Sequence, residues 1–166
     1  MSDYHGMGEF RGPSSNPVAH APTSRDGFKV DWPVGTVHIN RGFHTPQGRH
    51  HDGLDLGGSK GSPIFAAHNG TVIYAGHRYH GYGNMVIIEY DKEWASLYGH
   101  LDRILVKQGQ SVSMGYPIGA MGRTGHATGV HLHFELLHHQ LPVDPLKVLG
   151  ALTCTKCVKV SAHNYR

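Results

Sequence analysis

Between residues 63 and 137 the apolar positions repeat with a period of two over short runs, which is strand periodicity. The cleanest run is "GVHLHFELL", residues 129–137. Val130, Leu132, Phe134 and Leu136 fall on one face of that predicted strand, and His131 and His133 share the other. "PIFAAHNGTVIYAGH" (63–77) reads as two strands about the turn Asn69-Gly70, a hairpin signal. "GNMVIIEY" (83–90) and "WASLYGHL" (94–101) form a second pair about Asp91-Lys92-Glu93. "SVSMGYPIGAMG" (111–122) gives two short segments broken at Gly115 and Pro117. Only "DPLKVLGAL" (144–152) reads as a helix, with Pro145 in its first turn. The pattern predicts an all-β, antiparallel fold ending in one short helix.

Composition agrees, since the 23 glycines and nine prolines of the 166 residues are spread between β-branched and aromatic clusters. The length suits one domain with a core of its own. Patterned sequence covers 31–152. Residues 1–30 are rich in Ser, Pro, Gly and His and read as a flexible arm, and 153–166 as a tail carrying Cys154 and Cys157. With no second CxxC, that pair is expected to form a small-loop disulfide rather than a structural zinc site. The N-terminal stretch has no apolar segment of signal-peptide type, and no stretch is long enough to span a membrane. A net charge of +3, not gathered into a stripe, gives no reason to expect nucleic acid; it favours weak attraction to anionic polymers such as cell walls.

Chemistry enters through histidine. The chain has 16, scattered rather than contiguous, so most are expected to be plain surface residues. In "RHHDGLDLGG" (49–58), His51 and Asp55 are four apart and face one side of an extended segment, while His50 faces the other. With one histidine of the 131/133 pair they make two nitrogens and one carboxylate oxygen. That is the protein share of an open catalytic zinc site. The second histidine of the pair would stand ~6–7 Å further along the strand face, within reach of the reacting water. "LYGHLD" (97–102) adds His100. Each element alone has an ordinary reading: a polar loop, a half-exposed strand, a hydrogen-bonded structural histidine. Their joint occurrence in this order does not.

These stretches, with "GQSVSMGYPIGAMGRTGHATGVHLHFEL" and "PVDP", resemble the lysostaphin-type, or LytM-like, zinc endopeptidases of bacterial peptidoglycan over roughly residues 35–146. The resemblance implies a β-sandwich core with the site in a groove on one sheet. It implies one zinc per chain held by His51, Asp55 and His133, with His100 and His131 as catalytic residues. The implied substrate is a cross-link or stem peptide of peptidoglycan, the implied place of action the cell wall or periplasm, and a monomer is expected. Without a leader, the expected routes there are a phage particle, a secretion system or removal of the leader. The family also has non-catalytic members that bind cell wall or regulate another hydrolase; these lose metal ligands, whereas all five site residues stand here. A metal-storage or nucleic-acid role rests only on histidine number and mild basicity. The segment before His51 looks short, leaving His44 as the stand-in for a side chain that stabilises the transition state. Asn16 and His20 in the arm are candidates to block the metal, as in zymogen relatives.

Overall fold

A computed structural model describes residues 27–44 and 50–149. Asn16, His20 and the tail with Cys154 and Cys157 lie outside the described residues. Ten strands and one helix follow in order: β1 Ile39–Arg41, β2 Leu54–Gly57, β3 Pro63–Phe65, β4 Gly70–Gly76, β5 Asn84–Glu89, β6 Trp94–Ile104, β7 Ser111–Val112, β8 Pro117–Met121, β9 His131–His138, β10 Leu141–Val143 and α1 Pro145–Leu149. Every strand pair is antiparallel. The main path runs β1-β2-β9-β6-β5-β4-β7, with β10 on the end of β9 and the β3–β8 ribbon joined through β6.

The long strand β6 makes the second layer. Its first half lies between β5 and β9, and its last residues turn away to pair with β8. Ile64 of β3 and Ile118 and Met121 of β8 thereby pack into the same core as Leu54, Leu132 and Phe134. One sheet folded over itself forms the layers. The opposite face of the main sheet carries a smaller cluster, including Met85, Ile87, Leu97 and Leu137. It also carries His133 and Glu135, because β9 alternates as the period-two pattern requires.

The expected β5–β6 pair, the β9 strand and the terminal helix are all present. Asp144 starts the helix, accepting from Leu146 N–H at 3.0 Å. The Asn69-Gly70 hairpin is not present. Strands occur on both sides of it, yet β3 pairs with β8 and β4 pairs with β5 and β7. Asn69 instead accepts from Met114 N–H through its side chain, tying the crossover between layers. The true tight hairpin joins β9 to β10 through His139-Gln140, both at positive φ (49° and 67°).

Candidate metal centre

Register builds the site. Asp55 of β2 stands directly across from His133 of β9, and on β9's other side Gly99 of β6 faces the same histidine. His51 lies just before β2, held by its ring to the Gly42 carbonyl. His100 arrives differently. Tyr98 points into the main core, so strict alternation would send His100 there too. Between the pairs Val86↔Tyr98 and Asn84↔Leu101, β6 holds two residues where β5 holds one. His100 sits in this bulge with φ 61°. The extra residue returns Leu101 to the core and turns His100 to the cleft side.

Asp55 Oδ1 is the hub. It lies 3.1 Å from His51 Nε2, 2.9 Å from His133 Nδ1 and 3.5 Å from His131 Nε2. Outward-facing nitrogens are all engaged: His51 Nδ1 with Gly42 O at 2.8 Å, His131 Nδ1 with Gly129 O at 3.0 Å, and His100 Nδ1 with Thr124 O at 2.8 Å. A carbonyl only accepts, so these nitrogens carry the hydrogens. In the neutral rings the lone pairs therefore sit on Nε2. His133 differs: its Nε2 meets the Glu135 carboxylate at 2.9 Å. The rings of His100 and His131 lie edge to face, 4.7 Å between centroids.

Charge is arranged to match. Burial alone would raise the Asp55 carboxyl, but hydrogen bonds with His133 and His51 hold it well below the ordinary carboxylate range. Burial also opposes charge on His133, yet its bonds to Asp55 and Glu135 lift the ring to about 9. For His100 burial wins over the Thr124 carbonyl and takes the ring down to about 4, leaving it neutral. His133 thus stands between two carboxylates, Asp55 on Nδ1 and Glu135 on Nε2.

The donor set fits a metal. One ligand atom each from His51, Asp55 and His133 lies within 4.8 Å of the others, in a pocket where His51 and His133 are buried. Two nitrogens and one carboxylate oxygen suit an open zinc site. Among the described residues one further group of this kind occurs, Glu93, His138 and His139, on the surface at the far end of β9.

A cleft of about 300 Å³ opens over these side chains. Of the residues the sequence singles out, His51, His100 and His133 line it, and Asp55 and His131 do not. His80, His126, Tyr82 and Glu135 line it unforeseen, and so does His50, which strand alternation was expected to turn away but which lies ahead of β2 in chain that is not a strand. Glu135 was recoverable, being two residues beyond His133 on the same face. Tyr82, His80 and His126 were not, because two loops carry them. These loops lock where Gly125 meets Gly83: a Cβ on Gly83 would lie 2.4 Å from the Thr124 carbonyl carbon, and one on Gly125 2.4 Å from Gly83 N. Only glycine permits that approach, and both residues also have positive φ. His44 is exposed and stacks on His50 at 5.0 Å; it is not among the residues lining the cleft.

Comparison with known sequences gives the family. The pattern of Peptidase family M23 matches residues 49–145. The chain belongs to this family. It is the lysostaphin-like group that the resemblance indicated. Among similar proteins, a Pseudomonas aeruginosa protein named lipoprotein NlpD/LppB homolog is 43% identical over 118 residues, 71% of this chain and 39% of its own length. The murein hydrolase activator NlpD of Escherichia coli is 42% identical over 97 residues, 58% of this chain and 25% of its own. A solved zinc-containing peptidase from Vibrio cholerae superposes with TM-score 0.65 at 36% identity, covering 74% of this chain and 40% of that one. The chain therefore spans well under half the length of each of these proteins.

Proposed function

We propose that this M23 domain is a zinc-dependent endopeptidase that hydrolyses peptide bonds of bacterial peptidoglycan. The observation that carries the reading is the convergence of His51, Asp55 and His133 on one point with His100 and His131 beside it. His51, Asp55 and His133 would hold the metal. The chemistry supplied by a bound zinc is Lewis acidity, which polarises a carbonyl and makes water a nucleophile at neutral pH.

The chain's own residues handle the protons. No Glu stands beside the ligands in an HExxH arrangement, so imidazole takes that part. His100 is kept neutral by burial and offers the lone pair of Nε2. His131, held through Nδ1 by Gly129 O, brings Nε2 to 3.5 Å from Asp55 Oδ1, beside the proposed ligands. Together they accept a proton from the attacking water and stabilise the tetrahedral oxyanion. Carbonyl anchors on both rings hold them ready before substrate arrives. The +3 charge of the chain favours approach to an anionic wall polymer. As relatives named lipoproteins suggest, the place of action is the cell envelope.

The second reading is a non-catalytic domain that activates another hydrolase, favoured by the name of the Escherichia coli relative. One experiment decides between them. Purified peptidoglycan is digested with the zinc-loaded protein, and soluble muropeptides are identified by mass spectrometry. New peptide termini, lost with a chelator and restored with zinc, are expected and would also name the bond. A zinc-loaded protein that releases nothing alone but increases release by an added amidase would establish the activator reading instead.

A further inference from the structure

Glu135 is fully buried, on the same face of β9 as His131 and His133 and next to the apolar Leu137. Its Oε1 accepts from two groups, His133 Nε2–H at 2.9 Å and Tyr82 O–H at 2.7 Å. Its Oε2 has no hydrogen-bond partner among the described residues. Neither Lys nor Arg pairs with it among the described residues. A carboxylate held this way costs several kcal/mol of solvation, and an apolar side chain would pack the position better. Stability does not explain it.

The contrast with the other rings does. His51, His100 and His131 each have the outer nitrogen on a backbone carbonyl. His133 alone has a side-chain carboxylate there, and it alone presents Nδ1 rather than Nε2 to Asp55. Glu135, one period further on, supplies the acceptor.

We infer that Glu135, clamped by Tyr82, is the positioning residue of His133: it fixes the hydrogen on Nε2 and so makes Nδ1 the metal-binding nitrogen. The inference rests on the metal site of the proposed function. An anionic acceptor also makes the imidazole a stronger donor to a cation than a neutral one does. Tyr82 holds the carboxylate from the loop that walls the cleft, so loop and ligand are joined through one oxygen.

The test is metal affinity of the full chain, stripped and reloaded, by chelator competition with zinc and by the visible spectrum of the cobalt form. Glu135→Ala should weaken zinc binding ~10–100-fold, the usual range for losing such a partner. Glu135→Gln, which restores a neutral acceptor, should recover part of that loss. Tyr82→Phe should weaken binding less, in the same direction, and shift the cobalt absorption bands. Circular dichroism establishes that each variant is folded, and the isosteric Gln and Phe variants serve if Ala does not fold. Wild-type affinity and spectrum in folded Glu135→Gln and Tyr82→Phe would overturn the inference while leaving the metal site standing. A wild-type chain that takes up no zinc would overturn both.

Discussion

His131 and His133 share a strand face two residues apart, yet their loss should be felt differently. His133→Ala removes one of three proposed ligands and should leave the protein without stoichiometric zinc. His131→Ala should keep the metal and turn over ~10²–10⁴-fold more slowly, the range for a positioned acid–base group. His100→Ala should resemble His131→Ala, and the double variant should cost less than the product of the two. Zinc content and muropeptide release on the same preparations check all of this. A metal-free His131→Ala beside a loaded His133→Ala would exchange the roles. At this scale the sequence was informative wherever side chains repeat with strand period, as with His51, Asp55, His131 and His133. Glu135 obeys the same period but was not singled out, and Tyr82 reaches the site only through a loop whose path depends on Gly83 and Gly125.

Among the elements, the β9–β10 turn carries avoidable strain. His139 and Gln140 both have positive φ, the geometry of a two-residue turn that favours Asn-Gly. A left-handed backbone costs a residue other than glycine roughly 1–2 kcal/mol. Gln140→Gly should therefore stabilise the fold by about 1 kcal/mol, after glycine's greater freedom in the unfolded chain is counted. Thermal unfolding checks it, and an unchanged or lowered midpoint would refute it. The substitution lies at the far end of β9 from His131, so cleavage should be unaffected. This turn also explains a misreading. Asn69-Gly70 has the ideal hairpin composition but joins strands of different layers, while the real tight hairpin has a poor one. Local turn chemistry says where a chain reverses; which strands meet is decided by the packing of β3 against β8, over distances no local pattern records. The bulge at His100 is hidden for the same reason. An alternating reading places it in the core with Tyr98.

For the whole molecule, acid stability should depend on a histidine outside the candidate metal centre. His68 is completely buried between the layers, with Nδ1 on Asn69 O at 2.8 Å and Nε2 2.7 Å from Ser96 Oγ. Ser96 in turn meets Tyr98 Oη, which accepts from Ala67 N–H. Burial lowers the ring from 6.5 to about 4, outweighing the Asn69 carbonyl and the more distant Asp91. Between those values the unfolded chain binds the proton and the folded one does not. Stability from this group is whole above pH ~6.5 and falls as pH drops towards ~4, by about 3 kcal/mol in all and about 2 kcal/mol by pH ~5. Urea unfolding of metal-free protein at neutral and mildly acid pH should show it. His68→Gln should be the less pH-sensitive by about that amount, and parallel pH profiles for the two proteins would exclude the effect.

The left-handed backbone at His100 bears on how such a domain ages. In the genetic code histidine lies a single base change from asparagine and aspartate, and these two side chains tolerate that backbone better than most. A lineage can thus lose the ring in one mutational step while keeping the bulge, the sheet and the metal ligands. His100→Asn should unfold at nearly the wild-type temperature and His100→Ala lower, while both should cleave ~10²–10⁴-fold more slowly. Selection acting on folding alone would let the first persist and remove the second. An inherited loss of catalysis would then leave the cleft intact for a new use.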